Sequence, residues 1–314
     1  MKKLALVFPG QGSQSLGMLG DIAREFSEVQ AVFNEASDAL GYDLWQLTQQ
    51  GPAEALDNTV HTQPALLTAS YALWQILKKT KHIQPAILAG HSLGEYSALV
   101  CAESISLATG VKLVAARGQF MQEAVPVGQG VLAAIIGLDD KKVQEICTLS
   151  EKEGTVSPAN FNCPGQVVIA GQTKAVETAI TLAKEAGAKI AKLLPVSVPS
   201  HCSLMQPAAE KLTKLLATVS IKKPSIPILN NVDVAIYEDA ESIRSGLTRQ
   251  LIMPVRWVEI IQSFSAQGIE RIIECGPGKV LTGLNKRIVA NISLSQTADL
   301  ASLQTLLETS LETE

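Results

Sequence analysis

Short apolar runs alternate along this chain with stretches whose apolar positions recur every three or four residues. The runs at 4–8, 86–89, 226–230 and 271–275 read as buried core strands. Helical spacing covers 63–79, 107–124, 204–216 and 239–251, and 301–314 reads as a helix or a frayed tail. Strand and helix taken in turn predict an α/β protein with a mainly parallel sheet.

Residues 127–197 follow another order. A strand at 131–137, a helix at 141–150 and a strand at 156–162 lead to a turn at Cys163-Pro164-Gly165. A strand at 166–171, a helix at 175–187 and a strand at 189–196 complete it. That β-α-β-β-α-β order is the split unit of ferredoxin-like folds. The expectation is a core built from 1–126 and 198–314, with 127–197 inserted as a small subdomain. Gly128, Gly130, Pro195 and Pro199 punctuate the joins. A cleft between the two parts is the expected place for a ligand.

One motif concentrates the chemistry. Gly90-His91-Ser92-Leu93-Gly94 follows the apolar Ala86-Ile87-Leu88-Ala89 and precedes the helix-like Glu95-Tyr96-Ser97-Ala98-Leu99-Val100. Gly-x-Ser-x-Gly between strand and helix is a nucleophile elbow. A sharp turn exposes the serine oxygen, and the first N–H groups of the helix wait for a developing oxyanion. At about 7% glycine, chance yields the pattern in a chain this long roughly one time in ten. The strand before and the helix after therefore carry the assignment.

A serine needs a base, and four histidines compete. His82 sits in the charged, solvated Lys78-Lys79-Thr80-Lys81-His82, and His61 precedes Gln63-Pro64 at an expected helix start. His91 adjoins Ser92 on a sharp turn, where neighbouring side chains diverge, so its expected part is to support the loop. His201 lies in Pro195-Val196-Ser197-Val198-Pro199-Ser200-His201, an irregular segment returning toward the cleft. Elimination leaves His201 as the base. An α/β-hydrolase carries its acid between serine and histidine, with the histidine late. Here more than a hundred residues follow His201 and no carboxylate stands out. A Ser–His dyad, its imidazole oriented by a backbone carbonyl or an amide, suits the chain better than a triad.

Arg117 is the second unusual residue, since helical spacing puts it on the face of Leu113, Val114, Phe120 and Met121. It either snorkels to water or pairs with an internal Glu, or it awaits a substrate carboxylate that its planar fork can hold. The second reading, joined to a nucleophilic serine, implies an acyl group ending in a free carboxylate. The loop Pro9-Gly10-Gln11-Gly12-Ser13-Gln14 fails the dinucleotide fingerprint, because Ser15 stands where the third glycine belongs. It can instead bring a backbone N–H, such as that of Gln11, beside the elbow, with a plain turn as the competing reading. Gly276-Pro277-Gly278-Lys279 is read as structural.

Composition narrows the classes. A formal net charge of −4 without a basic run leaves no footprint for nucleic acid. Cys101, Cys147, Cys163, Cys202 and Cys275 are scattered, so neither a disulfide framework nor a zinc site is expected, and a reducing, cytosolic setting fits. The apolar stretch after Met1-Lys2-Lys3 ends at Pro9-Gly10, too short for a signal peptide. No run approaches the ~18 apolar residues of a membrane span. The expected protein is soluble, and with no heptad seam a monomer.

Together these residues resemble the malonyl-CoA:acyl carrier protein transacylase family of bacterial type II fatty acid synthesis. The matching motifs include Phe8-Pro9-Gly10-Gln11-Gly12-Ser13-Gln14, Thr62-Gln63-Pro64-Ala65, the elbow through Tyr96, and Arg117-Gly118. Later come Asn160-Phe161-Asn162, Pro199-Ser200-His201, Asn230-Asn231-Val232, Gln250-Leu251 and Gly276-Pro277-Gly278. The resemblance implies an α/β-hydrolase-like core with a ferredoxin-like insert. It implies Ser92 as nucleophile, His201 as base, Gln11 and Leu93 as oxyanion donors and Arg117 as malonyl ligand. The main-chain carbonyl of Gln250 would orient the histidine. Malonyl-CoA and acyl carrier protein are the implied partners, and no metal or redox cofactor is implied. Lys189, Lys192, Lys286 and Arg287 are candidate contacts for an acidic carrier protein, or else solvated surface. Asn160, Asn162 and Gln166 either line the pocket or shape the insert's turn. Polyketide acyltransferases share the elbow, but Pro199-Ser200 sides with the fatty acid enzymes. The remaining rivals are a thioesterase or esterase, and a silent module that binds carrier protein.

Overall fold

In the computed structural model, which describes residues 3–81, 83–196 and 198–308, the described strands fall into two sheets. In chain order they are β1 (Lys3–Phe8), β2 (Ile87–Gly90), β3 (Gly130–Ile136), β4 (Val156–Cys163), β5 (Gln166–Gln172), β6 (Ile190–Leu193), β7 (Ile228–Leu229), β8 (Ile269–Glu274) and β9 (Ser293–Gln296). The first sheet runs β7-β2-β1-β8-β9 with every pairing parallel. Parallel strands need crossovers and are buried on both faces, which explains their uninterrupted apolar runs. Alternation along β1 divides the core. Leu6 and Phe8 pack with Leu88 and Ile273 on one face, and Ala5 and Val7 with Ile87 and Ile272 on the other.

The second sheet has the order β4-β5-β3-β6 and is antiparallel throughout. In terms of its own chain order this is 2-3-1-4, the arrangement of the split βαβ unit. Helices Asp140–Ser150 and Thr173–Glu185 cover one face. On the other, Leu132, Ala159, Val168 and Ala170 pack with Cys202. The sheets are stitched where Phe161 N–H donates to Val255 O (2.9 Å) and Val255 N–H to Ala159 O (2.9 Å). Arg287 adds to the seam, donating to Gln166 Oε1 at 2.7 Å and to Pro164 O at 3.0 Å.

Some elements differ from the periodicity. β7 keeps two residues of the expected 226–230, because Pro227 lacks the N–H a ladder needs. β6 stops at Leu193 ahead of Pro195. β9 was not legible, since its Ser-Leu-Ser-Gln lacks the apolar run of a central strand and it sits at the sheet's edge. Helix Thr59–Lys81 begins before the expected 63 and carries Pro64 inside it. The C-terminal helix is Leu300–Glu308; 309–314 and His82 lie outside the described residues. No helix among the described residues is long and apolar enough to cross a membrane.

Two glycines show how tightly the crossover after β2 is built. A Cβ on Gly94 would lie 2.0 Å from Phe8 O, whereas one on Gly283, in helix Val280–Ile288, meets nothing within 4 Å. Gly94→Ala is expected to lower stability by roughly 3 kcal/mol. Gly283→Ala should raise it by about 0.5–1 kcal/mol. Urea midpoints at constant m-value measure both, and equal effects would contradict this packing.

Candidate active site

The elbow is forced by its glycines. A Cβ on Gly90 would meet Gly94 C at 1.8 Å, so strand end and helix start touch with no room for side chains. Between them Ser92 sits at φ 51°, a left-handed conformation that non-glycine residues adopt only when their surroundings impose it. Those surroundings include Asn231. Its Oδ1 accepts from Ser92 N–H at 2.8 Å, while its Nδ2 donates to Gly90 O at 2.6 Å.

His201 reaches the same point from 109 residues away in sequence, its Nε2 lying 2.8 Å from Ser92 Oγ. Its Nδ1 lies 2.7 Å from the main-chain oxygen of Gln250. A carbonyl only accepts, so Nδ1 carries the hydrogen and Nε2 is left to take a proton from Ser92. Burial first, and the Arg117 charge second, push the imidazole down to about 3, so it is neutral at pH 7. The other histidines lie elsewhere. His91 Nε2 pairs with Asn162 Oδ1 at 2.8 Å, against Trp257, and so joins the elbow to β4. His61 lies half-buried in the first turn of helix Thr59–Lys81, and its Nδ1 is 3.0 Å from Ala55 O.

Arg117, on helix Leu107–Ala124, is 1% exposed. Nη1 donates to Gln63 Oε1 at 2.8 Å, and Nη2 to Gln250 Oε1 at 3.0 Å and Ser92 Oγ at 3.3 Å. The guanidinium carbon lies 5.3 Å from the centre of the Tyr96 ring. Among the described residues no ion pair includes it. It neither snorkels nor pairs with a Glu. Neutral oxygens hold a buried cation beside the serine.

A cavity of about 200 Å³ opens between the two sheets. Gln11, Leu93, Ser92 and His201 line it from the parallel-sheet side, and Asn160 and Asn162 from β4. The N–H groups of Gln11 and Leu93 take no acceptor among the described residues. Gln166, the first residue of β5, accepts from Arg287 beside the turn. Arg287 makes its contacts with Gln166 and Pro164 within the chain while remaining exposed, as are Lys189, Lys192 and Lys286.

Four residues gained no role from the sequence: Gln63, Glu95, Asn231 and Tyr237. Glu95 offered a signal, as the one ionisable acid in the wholly buried helix Gly94–Cys101. Its carboxylate accepts from Tyr237 O–H, from Asn231 N–H at 3.0 Å and from Gln250 Nε2 at 3.0 Å. Burial raises it to about 7.

The depressed imidazole links to stability. Between about pH 6.5 and about 3 the unfolded chain binds a proton that folded His201 does not, so folding weakens as pH falls. His201→Gln removes that contribution. Between pH 8 and pH 5 this variant should lose about 2 kcal/mol less than the parent in denaturant titrations. Parallel pH profiles would show that the imidazole is not depressed.

The chain is similar to known proteins over nearly its whole length. The acyl transferase domain family matches residues 5–305. The malonyl CoA-acyl carrier protein transacylase of Salmonella typhimurium is 56% identical over 307 residues, covering 98% of this chain and 99% of that protein. That of Bacillus subtilis is 43% identical, covering 98% of each. Among solved structures, an acyl carrier protein S-malonyltransferase from Vibrio cholerae superposes with a TM-score of 0.94 at 56% identity, covering 97% of this chain and 99% of that one. A malonyl-transacylase in complex with its type II PKS acyl-carrier protein gives 0.96 at 54%, covering 98% and 99%.

Proposed function

This chain belongs to the acyl transferase domain family, and from that premise we propose how its residues divide the work. It transfers the malonyl group of malonyl-CoA to the phosphopantetheine thiol of acyl carrier protein, supplying extender units for fatty acid synthesis. The observation that carries the assignment of roles is the relay from Gln250 O through His201 to Ser92 Oγ beside an unpaired Arg117.

Ser92 Oγ attacks the thioester carbonyl as its proton passes to His201 Nε2. The oxyanion rests on the N–H groups of Gln11 and Leu93, each such donor supporting ~10²–10³ in rate. As the C–S bond breaks, His201 returns the proton to the coenzyme A sulfur, leaving a malonyl-serine ester. The carrier-protein thiol then gives its proton to His201 and attacks that ester. The breaking C–O bond recovers the proton at Ser92. Throughout, Arg117 holds the distal carboxylate through its fork. Asn160 and Asn162 form the opposite wall of the pocket. Lys189, Lys192 and Lys286 lie on elements flanking the cavity and suit an acidic carrier protein. We divide the chain at 127–197, treat one copy as the working unit and place it in the cytoplasm.

A thioesterase would use water in the second step, and a silent module would never acylate. Intact-mass measurement after brief exposure to malonyl-CoA separates all three. The expected result is one malonyl group on the parent, none on Ser92→Ala, and discharge only when carrier protein is added. Rapid free malonate without acceptor would favour hydrolysis, and no adduct would remove the serine's role.

Arg117→Ala is expected to lower malonyl kcat/KM by roughly 10²-fold, the loss of two charge-assisted hydrogen bonds. Acetyl transfer, lacking the distal carboxylate, should change by less than about fivefold. Equal losses for both donors would make Arg117 purely structural.

A further inference from the structure

Glu95 plays no part in the steps above, yet its position is costly. The helix that carries it is buried along its whole length, and an apolar residue would fill the same space without desolvating a carboxyl. Two of the three hydrogen-bond partners of Glu95 lead to the site. Asn231, whose main-chain N–H it accepts, holds Ser92 N–H through its side chain. Gln250, whose amide it accepts, holds Arg117 through Oε1 and His201 through its main-chain oxygen.

The Gln250 amide is the joint in this arrangement. One of its two Nε2 hydrogens goes to Ser92 O at 3.0 Å and the other to Glu95 Oε2 at 3.0 Å. With both engaged, rotation about the last side-chain bond is fixed and Oε1 must face Arg117 Nη2. A flipped amide would set oxygen against oxygen at Glu95 and Ser92, and N–H against N–H at the guanidinium. We propose that Glu95 is a positioning residue that fixes the Gln250 side-chain amide and so holds the Arg117 fork in register for the carboxylate of the acyl group.

The arrangement solves a specific problem. A carboxylate in direct contact with Arg117 would occupy the fork that the substrate needs. Glu95 instead acts across one neutral amide, which orders the guanidinium and leaves it unpaired. Oε2 accepts from Gln250 and Asn231 whether or not the group holds a proton, because a proton on Oε1 can be donated to the Tyr237 oxygen. The acceptor, not the charge, is what positions the amide.

This inference rests on Arg117 as the ligand of the acyl carboxylate, and the test keeps the two apart. Malonyl and acetyl transfer to carrier protein are measured as kcat/KM for the parent, Arg117→Ala, Glu95→Leu and Glu95→Gln, with melting curves for each. Glu95→Leu should lower the malonyl-to-acetyl ratio about tenfold, mainly through KM for malonyl-CoA. Glu95→Gln keeps an acceptor toward Gln250 and should restore the ratio to within about threefold of the parent. If Glu95→Leu fails to fold, Gln250→Met removes the amide but keeps the main-chain oxygen on His201, and should lower the ratio likewise. Equal losses for both donors in Glu95→Leu, a Glu95→Gln as unselective as Glu95→Leu, or an unchanged ratio in Gln250→Met would overturn the inference. Should Arg117→Ala keep the parental ratio, the reading of Arg117 fails first. Should it lose the ratio while Glu95→Leu keeps it, the positioning role alone fails.

Discussion

A guanidinium buried without a carboxylate in contact is the constraint around which this site is organised. Removing Arg117 from water costs several kcal/mol or more unless its hydrogens are satisfied. Here neutral oxygens from Gln63, Gln250 and Ser92 accept three of its five hydrogens, its buried Nε–H has no partner among the described residues, and its charge stays available. That cation also acts on its neighbours. After burial it is the largest cause keeping the His201 imidazole neutral. In the proposed mechanism one charge serves recognition and helps keep the base unprotonated at neutral pH.

The serine and the histidine both occupy left-handed backbone positions, with φ of 51° and 64°. Such residues cost of order 1–3 kcal/mol each and persist only where packing over-determines them. Around Ser92 the determinants are the two glycines and Asn231. Around His201 they are its N–H on Leu251 O and its Nδ1 on Gln250 O. Both constraints on the histidine come from the end of one helix, Ala240–Gln250, and the residue after it. A change there reaches base and guanidinium together.

Much of this was legible in the sequence, because its signals were local. The apolar runs of β1, β2 and β8 are long enough to mark a buried parallel strand, and the elbow glycines are contiguous. The order of elements between 127 and 197 is likewise a property of neighbouring residues. What stayed hidden depends on tertiary contact. β9 is an edge strand of mixed polarity with no period to read. Two of the acceptors of Arg117, Gln63 and Gln250, are 187 positions apart in the chain. Glu95 was visible only as an acid in an apolar helix. Its partners Asn231 and Tyr237 lie more than 130 residues away. Arg287 is exposed, as its place in the sequence suggests, but its contacts at the β4–β5 turn depend on residues more than 120 positions away.

The most direct measurement is a crystal structure of the chain carrying a malonyl ester on Ser92. The account predicts the distal carboxylate within hydrogen-bond distance of both Arg117 Nη atoms, with the ester oxygen facing the N–H groups of Gln11 and Leu93. A carboxylate turned to solvent, with the guanidinium still held only by Gln63 and Gln250, would contradict it.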